Sequence, residues 1–338
     1  MKILLAGGAG YIGSHIAVEL LRKNYEVIVV DNFSNSSNKV IERIKNICHK
    51  EIKYYKINIL NKTEMLNILK EEKPNCIVHL AGYKSVSESL RHPLEYYENN
   101  LGTTISILEA MKKSNCTNII FSSSATVYGS ENSSPYLETM KRGKCTNAYG
   151  WTKYFSEQIL IDEYLSNKNI SSVILRYFNP IGADKTGMIG ENPNGVPNNL
   201  MPYITQVAIG KLNKLTIYGN DYNTSDGTCL RDFIHVSDLA LGHISAIDYV
   251  MKNKCCEIIN LGTGKPNSVL EVVNTFKKIN GVQIPFEFGK RRKGDLDEVW
   301  ADISKAKLLL NWEPIYSLED MCRDSWNWQK NNPEGYML

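Results

Sequence analysis

The first half of the chain alternates short apolar runs with longer amphipathic segments. Near-continuous runs of Ile, Val and Leu are typical of strands that a parallel sheet buries on both faces, and apolar residues three or four apart are typical of helices. The pattern predicts strands at residues 2–7, 26–31, 52–57, 75–82, 118–124 and 172–178. It predicts helices at residues 11–23, 39–47, 62–72, 93–114 and 148–166. We therefore expect an α/β fold of the Rossmann type, a doubly wound parallel sheet with helices on both faces.

The helix predicted at residues 93–114 has the clearest apolar stripe. Pro93 suits its first turn. An apolar or aromatic residue then follows at every third or fourth position: Leu94, Tyr97, Leu101, Ile105, Leu108 and Met111. Such a stripe predicts a helix with one buried face.

The regular alternation ends after Phe178. Residues 179–228 are rich in Asn, Gly, Pro and Asp, with one helical pattern near residues 201–210, and later elements are shorter. The change predicts two domains, at residues 1–178 and 179–338, with segments of the second, smaller α/β lobe returning to the first. Because ligands of open α/β sheets bind beyond the carboxyl ends of the strands, a lobe placed there would form a cleft.

Composition excludes several classes of protein. Apolar residues make up 43% of the 338 residues, and 39 Lys and Arg nearly balance 36 Asp and Glu. This balance argues against a nucleic-acid or membrane-surface binder. No window approaches the roughly 18 uninterrupted apolar residues of a membrane helix, and the eight cysteines form neither C-x-x-C pairs nor Cys/His clusters. We therefore expect a cytoplasmic protein with reduced thiols and no metal site.

A glycine-rich loop, GGAGYIG, lies between the first predicted strand and the first predicted helix. Gly7, Gly8, Gly10 and Gly13 stand where backbone turns tightly and approaches a pyrophosphate, and the helix offers its free N–H groups to the phosphates. Asp31 ends the second predicted strand, where a carboxylate can hold the 2′-hydroxyl of an adenosine ribose. Since that carboxylate would repel a 2′-phosphate, this context predicts NAD as the cofactor rather than NADP.

Tyr149 and Lys153 lie four residues apart at the start of the helix predicted at residues 148–166, so their side chains share one face. Tyr164 and Lys168 repeat this spacing, but roughly 22 Å further along the helix axis, away from the predicted cofactor. The serines at positions 122–124 end the preceding strand and reach the same edge of the sheet as Tyr149. Its place at the edge of the sheet therefore distinguishes the Tyr149–Lys153 pair from an ordinary surface contact.

A tyrosine in this position can act as a base only if its pKa falls. A free phenol has a pKa of about 10, and a pKa near 7 requires roughly 4 kcal/mol of preference for the phenolate. Lys153 and the positive nicotinamide ring together can supply that preference, and a serine hydroxyl can share the substrate's proton. We therefore expect Tyr149 to have a depressed pKa.

These features resemble the extended short-chain dehydrogenase/reductase family over essentially the whole chain. Within that family the chain is similar to the enzymes that invert C4 of UDP-sugars. The glycine loop and the Tyr-x-x-x-Lys motif indicate only the superfamily, whereas the stretches FSSSATVYG, RYFNPIGA and PNNLMPY are far more specific.

The resemblance implies a homodimer that interconverts UDP-glucose and UDP-galactose through a transient 4-keto sugar, with tightly bound NAD. It implies that Ser124 and Tyr149 handle the proton and that Lys153 holds the nicotinamide ribose. The implied NAD site comprises Gly7, Gly10, Tyr11, Ile12, Gly13, Asp31, Asn32, Asn58, Ile59, Ala81, Lys84, Asn99, Tyr149, Lys153 and Tyr177. The implied UDP-sugar site comprises Lys84, Ser124, Asn179, Asn199, Leu200, Thr216, Tyr218, Arg231, Arg292, Asp295 and Val299.

Three positions depart from the pattern of many family members. Asn58 stands where an Asp contacts the adenine, and Phe233 stands where a Tyr hydroxyl lies near the nucleotide. Val299 stands where a bulky Tyr is associated with restriction to UDP-glucose and UDP-galactose. The smaller Val299 leaves room beside C2 of the sugar, so we hypothesise that UDP-N-acetylglucosamine and UDP-N-acetylgalactosamine are also substrates.

Other functions stay open at this point. A nucleotide-sugar 4,6-dehydratase shares the first oxidation, but such relatives carry an Asp-Glu pair where this chain has Ala125 and Thr126. An ordinary dehydrogenase would exchange its cofactor in each cycle. A non-catalytic NAD-sensing protein would keep the fold without the chemistry, which the presence of Ser124, Tyr149 and Lys153 argues against.

Overall fold

A computed structural model of the chain describes residues 1–292 and 294–337. In the first half, strands and helices alternate as the pattern predicts. The strands are β1 (Lys2–Ala6), β2 (Glu26–Asp31), β3 (Lys53–Lys56), β4 (Cys76–His79), β5 (Asn118–Ser124) and β6 (Ser171–Tyr177). The helices are α1 (Tyr11–Arg22), α2 (Lys39–Cys48), α3 (Lys62–Glu72), α4 (Val86–Ser89), α5 (Pro93–Lys112) and α6 (Ala148–Asn167), and a 3₁₀ turn (Ala125–Tyr128) follows β5.

The second half contains shorter strands and more loop. Its strands are β7 (Asn179–Ile181), β8 (Leu215–Tyr218), β9 (Leu230–Arg231), β10 (Phe233–His235), β11 (Cys256–Leu261), β12 (Asn267–Ser268), β13 (Phe286–Gly289) and β14 (Glu298–Val299). Its helices are α7 (Leu200–Ala208), α8 (Val236–Val250), α9 (Val269–Asn280), α10 (Ser304–Leu310) and α11 (Leu318–Asn331), with a terminal 3₁₀ turn (Gly335–Met337). Except for β11, these strands form small sheets of two or three strands.

The central sheet has seven parallel strands in the order β11-β6-β5-β4-β1-β2-β3. The predicted Rossmann-type fold is therefore confirmed. The seventh strand comes from the second half, because β11 pairs with β6 while α8 packs against α1. The strand order reverses at β1, and the crevice beyond the carboxyl ends of β1 and β4 is where such folds bind ligands.

Apolar residues of each central strand face both sides of the sheet. Ile3 and Leu5 of β1 belong to the cluster under α1, α2 and α8, whereas Leu4 and Ala6 belong to the cluster under α3, α5 and α6. This alternation follows from the two-residue period of a strand. A third cluster joins α7, α9 and α11 of the second half.

The apolar stripe predicted on α5 is only partly buried. Leu94 is 80% exposed and Ile105 also lies at the surface, whereas Asn100 and Thr104 are buried. Thr104 Oγ1 lies 3.2 Å from Ser156 Oγ of α6. Part of the stripe stays exposed because α5 and α6 meet partly through hydrogen-bonded amides and hydroxyls, which are stable when buried and paired.

The buried face of helix α6 combines polar residues with apolar residues such as Leu160. Its buried face carries Thr152 and Glu157, while Phe155 is exposed and Leu165 is 67% exposed. Trp151 stacks on Phe155 at the surface, with ring centroids 5.7 Å apart. Helices α5 and α6 pack against each other and together present apolar side chains outward.

None of the helices in the described ranges combines the length and the apolar character that crossing a bilayer takes. Within those same ranges, no three His, Cys, Asp or Glu side chains are grouped so that they could bind a metal ion. The eight cysteines are free thiols, and burial raises the pKa of each of them. A raised pKa keeps a thiol protonated and unreactive.

Candidate active site

The glycine loop joins β1 to α1 at the point where the strand order reverses. Gly7 has φ +84°, and a Cβ added to it would lie 2.7 Å from Ala81 N, while a Cβ on Gly13 would lie 2.6 Å from Gly7 O. Only glycine fits these two positions without displacing backbone. The nearest atom to a Cβ on Gly10 is Gly7 O at 3.4 Å, so the space in front of Gly10 is open. The loop thus forms a backbone cradle at a helix N-terminus, which suits a pyrophosphate.

Asp31 at the end of β2 connects two loops at this edge. Its Oδ2 accepts a hydrogen bond from Ala9 N at 3.0 Å, and its Oδ1 accepts from Phe33 N at 2.9 Å and from Ser36 Oγ at 3.1 Å. A carboxylate offers about four acceptor positions, so Asp31 keeps capacity for a further hydroxyl. Its position and charge fit the adenosine ribose of NAD and disfavour a 2′-phosphate.

The other predicted NAD residues lie mostly where strands end. Asn32 follows β2, Asn58 and Ile59 follow β3, Ala81 follows β4, and Tyr177 ends β6. Tyr11 and Ile12 begin α1, and the Tyr11 hydroxyl donates to Gly182 O at 2.7 Å. Asn99 lies in α5, where its Nδ2 donates to Asn100 Oδ1 at 3.0 Å.

The start of α6 meets the end of β5. Asn147 caps α6, because its side-chain oxygen accepts from Gly150 N at 2.9 Å. Tyr149 therefore lies in the first turn, and Ser124 is the last residue of β5. Ser124 pairs in register with Tyr177 of β6. The capped helix thus places the Tyr149 phenol at the carboxyl edge of the sheet, as the sequence predicts.

Ser124, Tyr149 and Lys153 form one group. The Ser124 side chain lies close enough to the Tyr149 hydroxyl to lower the pKa of the phenol. Its Oγ also accepts from Thr126 Oγ1 at 3.0 Å. Lys153 Nζ lies 5.9 Å from the centroid of the Tyr149 ring and donates to Ser122 O at 2.6 Å. The ammonium is thus buried beside the phenol.

The pKa of Tyr149 is not depressed in the chain by itself. Burial raises the pKa of this phenol, and the hydrogen bond to Ser124 offsets only part of that effect. Removal of a phenolate from water is unfavourable, and in the chain alone the neighbouring groups do not compensate for it. The expected depression of the pKa includes the positive charge of the nicotinamide ring, so it stays a prediction for the protein with NAD bound. Burial also lowers the pKa of Lys153 to about 8, although Glu157 acts in the opposite direction.

Glu157 is a buried residue that the sequence motifs did not indicate. Its carboxylate accepts hydrogen bonds from Ser123 Oγ at 2.5 Å, Arg142 Nη1 at 3.0 Å, Arg176 Nε at 3.0 Å and Arg176 Nη2 at 2.8 Å. This network attaches α6 to β5, to β6 and to the loop before α6. The available signal was the four-residue spacing that continues from Tyr149 through Lys153 to Glu157.

A second group of predicted residues forms around β9. Strand β14 pairs with β9 so that Val299 lies beside Arg231. Arg231 forms an ion pair with Asp295, and its Nη1 donates to Leu296 O at 3.1 Å. The Tyr222 hydroxyl donates to the other Asp295 oxygen at 3.1 Å. A cation therefore stands next to the position predicted to border the sugar.

Strand β8 carries the other predicted nucleotide residues. Thr216 and Tyr218 are two residues apart on this strand and so share a face. The Arg292 guanidinium carbon lies 4.4 Å from the centroid of the exposed Tyr218 ring. Asn179 begins β7, and Leu200 begins α7.

Lys84 and Asn199 share one carboxylate that the motifs did not indicate. Glu191 Oε1 accepts from Lys84 Nζ and from Asn199 Nδ2, each at 2.8 Å. Lys84 follows β4, and Asn199 precedes the first residue of α7. No sequence motif indicates Glu191, because the residue lies in an irregular stretch between β7 and α7, far from Lys84 in the chain.

Known proteins match this chain over nearly its whole length. A profile of the family described as GDP-mannose 4,6 dehydratase matches residues 4–325. A UDP-glucose 4-epimerase of Bacillus subtilis is 49% identical over 336 residues, which cover 99% of this chain and 99% of that protein. A UDP-glucose 4-epimerase of Haemophilus influenzae is also 49% identical over 336 residues, with the same coverage of both chains.

Solved structures agree with these relatives. UDP-glucose 4-epimerase from Bifidobacterium longum, in complex with NAD+ and UDP, matches with a TM-score of 0.95 and 45% identity over 99% of this chain and 100% of that one. The UDP-Glc/GlcNAc 4-epimerase from Campylobacter jejuni matches with a TM-score of 0.85 and 37% identity over 98% of this chain and 99% of that one. On both sequence and structure, this chain belongs to the UDP-glucose 4-epimerase family of the extended short-chain dehydrogenase/reductases.

Proposed function

We propose that this protein is an NAD-dependent UDP-glucose 4-epimerase, an isomerase that interconverts UDP-glucose and UDP-galactose. The observation that carries the proposal is the group of Ser124, Tyr149 and Lys153 at the carboxyl edge of a sheet that also bears an NAD-type glycine loop. Relatives of 49% identity over nearly their full length have this activity by name.

The residues of this chain fit NAD. The loop with Gly7, Gly10 and Gly13 would hold the pyrophosphate, Asp31 the adenosine ribose, and Lys153 the nicotinamide ribose. When bound, NAD supplies the oxidation of the sugar at C4 to a ketone and its reduction from the opposite face. Because the sugar gains and loses the same two electrons, no net redox change accumulates.

Tyr149 and Ser124 move the proton in this proposal. The Tyr149 oxygen takes the proton of the sugar 4-hydroxyl and returns it to the 4-keto sugar, while Ser124 shares a hydrogen bond with both oxygens. Since burial raises the pKa of Tyr149, its phenolate depends on nearby positive charge, and Lys153 is the chain's own source. General acid–base catalysis of this kind contributes roughly 10²–10⁴-fold.

The second half of the chain would hold the UDP part of the substrate. Arg231 and Arg292 can bind the diphosphate through paired N–H donors. Binding energy in the nucleotide can then fix the substrate while the sugar stays free to turn over. The remaining proposed contacts come from Lys84, Ser124, Asn179, Asn199, Leu200, Thr216, Tyr218, Asp295 and Val299.

We propose that the two domains bind different ligands. Residues 1–178 bind NAD, and residues 179–338 bind the UDP-sugar, with α8 and β11 returning to the first domain. The free thiols support a reducing compartment, and we propose the cytoplasm.

The outward faces of α5 and α6 support a homodimer. Leu94, Ile105, Phe155 and Leu165 expose apolar surface on two adjacent helices. Contiguous exposed apolar surface marks an interaction site more often than it marks free surface. A second copy of the same two helices would bury it by a two-fold arrangement.

A 4,6-dehydratase is not favoured, although the matching family profile carries that description. Elimination across C5 and C6 needs an acid and a base after the serine. The 3₁₀ turn that follows Ser124 begins with Ala125 and Thr126, and neither side chain titrates near neutral pH.

The function is tested by incubating the purified protein with UDP-galactose and no added cofactor. We expect UDP-glucose to form until the two sugars reach equilibrium, while absorbance at 340 nm stays constant. Anion-exchange chromatography separates and quantifies the products. A reaction that proceeds only when NAD is added, with a rise at 340 nm as the added NAD is reduced, would instead indicate a dehydrogenase, and a deoxy-keto sugar would indicate a dehydratase.

Replacement of Tyr149 tests the proton transfer. We expect Tyr149→Phe to lower kcat for UDP-galactose at least about a hundredfold, because the ring stays but the acid–base oxygen is gone. NAD content and UDP affinity should be retained. The matched control is Tyr164→Phe in the same helix, whose hydroxyl bonds to Lys254 O at 3.1 Å and which should keep wild-type kcat. Wild-type activity in Tyr149→Phe would remove Tyr149 from the mechanism.

Val299 is proposed to admit N-acetylated sugars. The wild-type protein should convert UDP-N-acetylgalactosamine as well as UDP-galactose, and Val299→Tyr should lose the first activity while keeping the second, because the larger ring would fill the space beside C2. Product analysis with each sugar checks this. The hypothesis fails if the wild-type protein turns over only UDP-galactose.

The dimer is tested by charging its proposed face. Phe155→Asp should convert a particle of twice the chain mass into a monomer in light scattering after size exclusion, because a buried unpaired carboxylate opposes association. Leu308→Asp is the control, since Leu308 is exposed on α10, away from α5 and α6. A monomeric wild-type protein would contradict the proposal.

A further inference from the structure

Glu191 lies between β7 and α7 in a segment whose backbone is held rigidly. The Tyr336 hydroxyl accepts from Gly190 N and donates to Gly190 O, each at 3.0 Å, and Trp328 Nε1 donates to Glu191 O at 3.1 Å. A Cβ on Gly190 would lie 2.3 Å from Trp328 Cγ, so only glycine allows this contact. Helix α11 and the terminal 3₁₀ turn therefore fix the point from which the Glu191 side chain extends.

The Glu191 carboxylate joins two segments that approach it from different parts of the fold. Its side chain is 11% exposed, and Oε1 accepts from both Lys84 Nζ and Asn199 Nδ2 at 2.8 Å. We call Lys84, Glu191 and Asn199 the Glu191 cluster. Lys84 belongs to the loop after β4 of the Rossmann sheet, and Asn199 stands at the N-terminus of α7.

Further hydrogen bonds connect the same two segments beside the cluster. Asn198 Nδ2 donates to Ser85 Oγ at 3.4 Å, and Ser87 Oγ donates to Asn198 Oδ1 at 3.5 Å. These contacts are long, and Ser87 is exposed while Ser85 is half-buried. The charged contact of Glu191 is therefore the strongest link between the loop at residues 84–87 and the segment at residues 191–199.

We propose that Glu191 is a positioning residue that holds Lys84 and Asn199 in the places from which they contact the cofactor and the UDP-sugar, an inference that rests on the proposed function. Lys84 has four rotatable side-chain bonds, and a free lysine loses rotamer entropy when it is ordered. A rigid, mostly buried carboxylate removes that cost before the substrate arrives. Glu191 thus supports binding of the substrate more than the chemical step.

A surface ion pair without consequence is the competing explanation. Exposed Lys–Glu pairs contribute little to stability or binding, because water and salt screen their charges. Glu191 differs from such a pair in two respects, because its carboxylate is largely shielded from water and because it also accepts from an uncharged donor on a second segment. Both features raise the cost of losing the carboxylate.

The substitution Glu191→Gln keeps the size of the side chain and removes its charge. We expect Kd for UDP, measured by titration calorimetry, and KM for UDP-galactose both to rise about five- to tenfold, within the range that the net loss of one hydrogen bond produces. The value of kcat should change less than about threefold. The midpoint of thermal unfolding should stay close to that of the wild type.

A double-substitution cycle tests whether Glu191 acts through Lys84. If it does, adding Glu191→Gln to Lys84→Met should raise Kd for UDP by a smaller factor than Glu191→Gln does in the wild type, because one of its two partners has already been removed and only the contact with Asn199 is left to lose. The matched control is Glu51→Gln, which removes the carboxylate of an exposed pair with Lys45 at 2.5 Å and should leave both constants unchanged.

Several outcomes would overturn the proposal. They are unchanged Kd and KM in Glu191→Gln, full additivity with Lys84→Met, or a lowered unfolding temperature with unchanged Kd, which would make Glu191 only structural. Calorimetry with UDP reports binding without turnover. A wild-type protein that binds UDP but converts no UDP-galactose would therefore count against the proposed function, and not against the role of Glu191.

Discussion

The buried ion pair between Glu157 and Arg176 organises the catalytic edge of this protein. Both side chains are inaccessible to water, and their two hydrogen bonds are parallel and bidentate. Burying two charges is unfavourable unless every acceptor finds a partner, and Arg142 and Ser123 complete the shell of the carboxylate. Because Ser123 is adjacent to Ser124, the same carboxylate that anchors helix α6 also sets the position of the strand end facing Tyr149. Removing one member would leave an uncompensated buried charge, which typically costs about 3–5 kcal/mol.

This network explains the unusual distribution of polarity on α6. A helix that covers a sheet ordinarily turns apolar residues inward. Here the inward face carries Thr152, Lys153 and Glu157, because the chemistry and its supporting hydrogen bonds need polar groups at the sheet edge. The apolar residues Phe155 and Leu165 are consequently left on the outside, where the proposed second copy would cover them. The proposed catalytic residues and the proposed dimer surface thus lie on different faces of one helix.

The second half of the chain completes both parts of the site. Strand β11 and helix α8 finish the Rossmann sheet, and the pairing of β14 with β9 brings Val299 beside Arg231. Glu191 connects the loop after β4 to the start of α7. In the proposed reaction the nucleotide stays fixed while the sugar turns. The residues proposed to bind NAD and those proposed to bind UDP must therefore keep a constant distance and orientation to one another. The hydrogen bonds between the Gly190 backbone and the Tyr336 hydroxyl help to fix the position of the segment that carries Glu191.

The sequence by itself determined the local features of this protein. Hydrophobic periodicity predicted the strands and helices of the first half, and the glycine loop, Asp31 and the Tyr149–Lys153 spacing predicted where an NAD-type edge would form, because each depends on residues close together in the chain. Only the tertiary structure decided which faces of α5 and α6 are buried, that burial raises the pKa of Tyr149 in the chain by itself, and that Glu157 contacts Arg176 and Glu191 contacts Lys84. These outcomes depend on residues far apart in the chain, such as Lys84 and Glu191, whose approach no local spacing encodes.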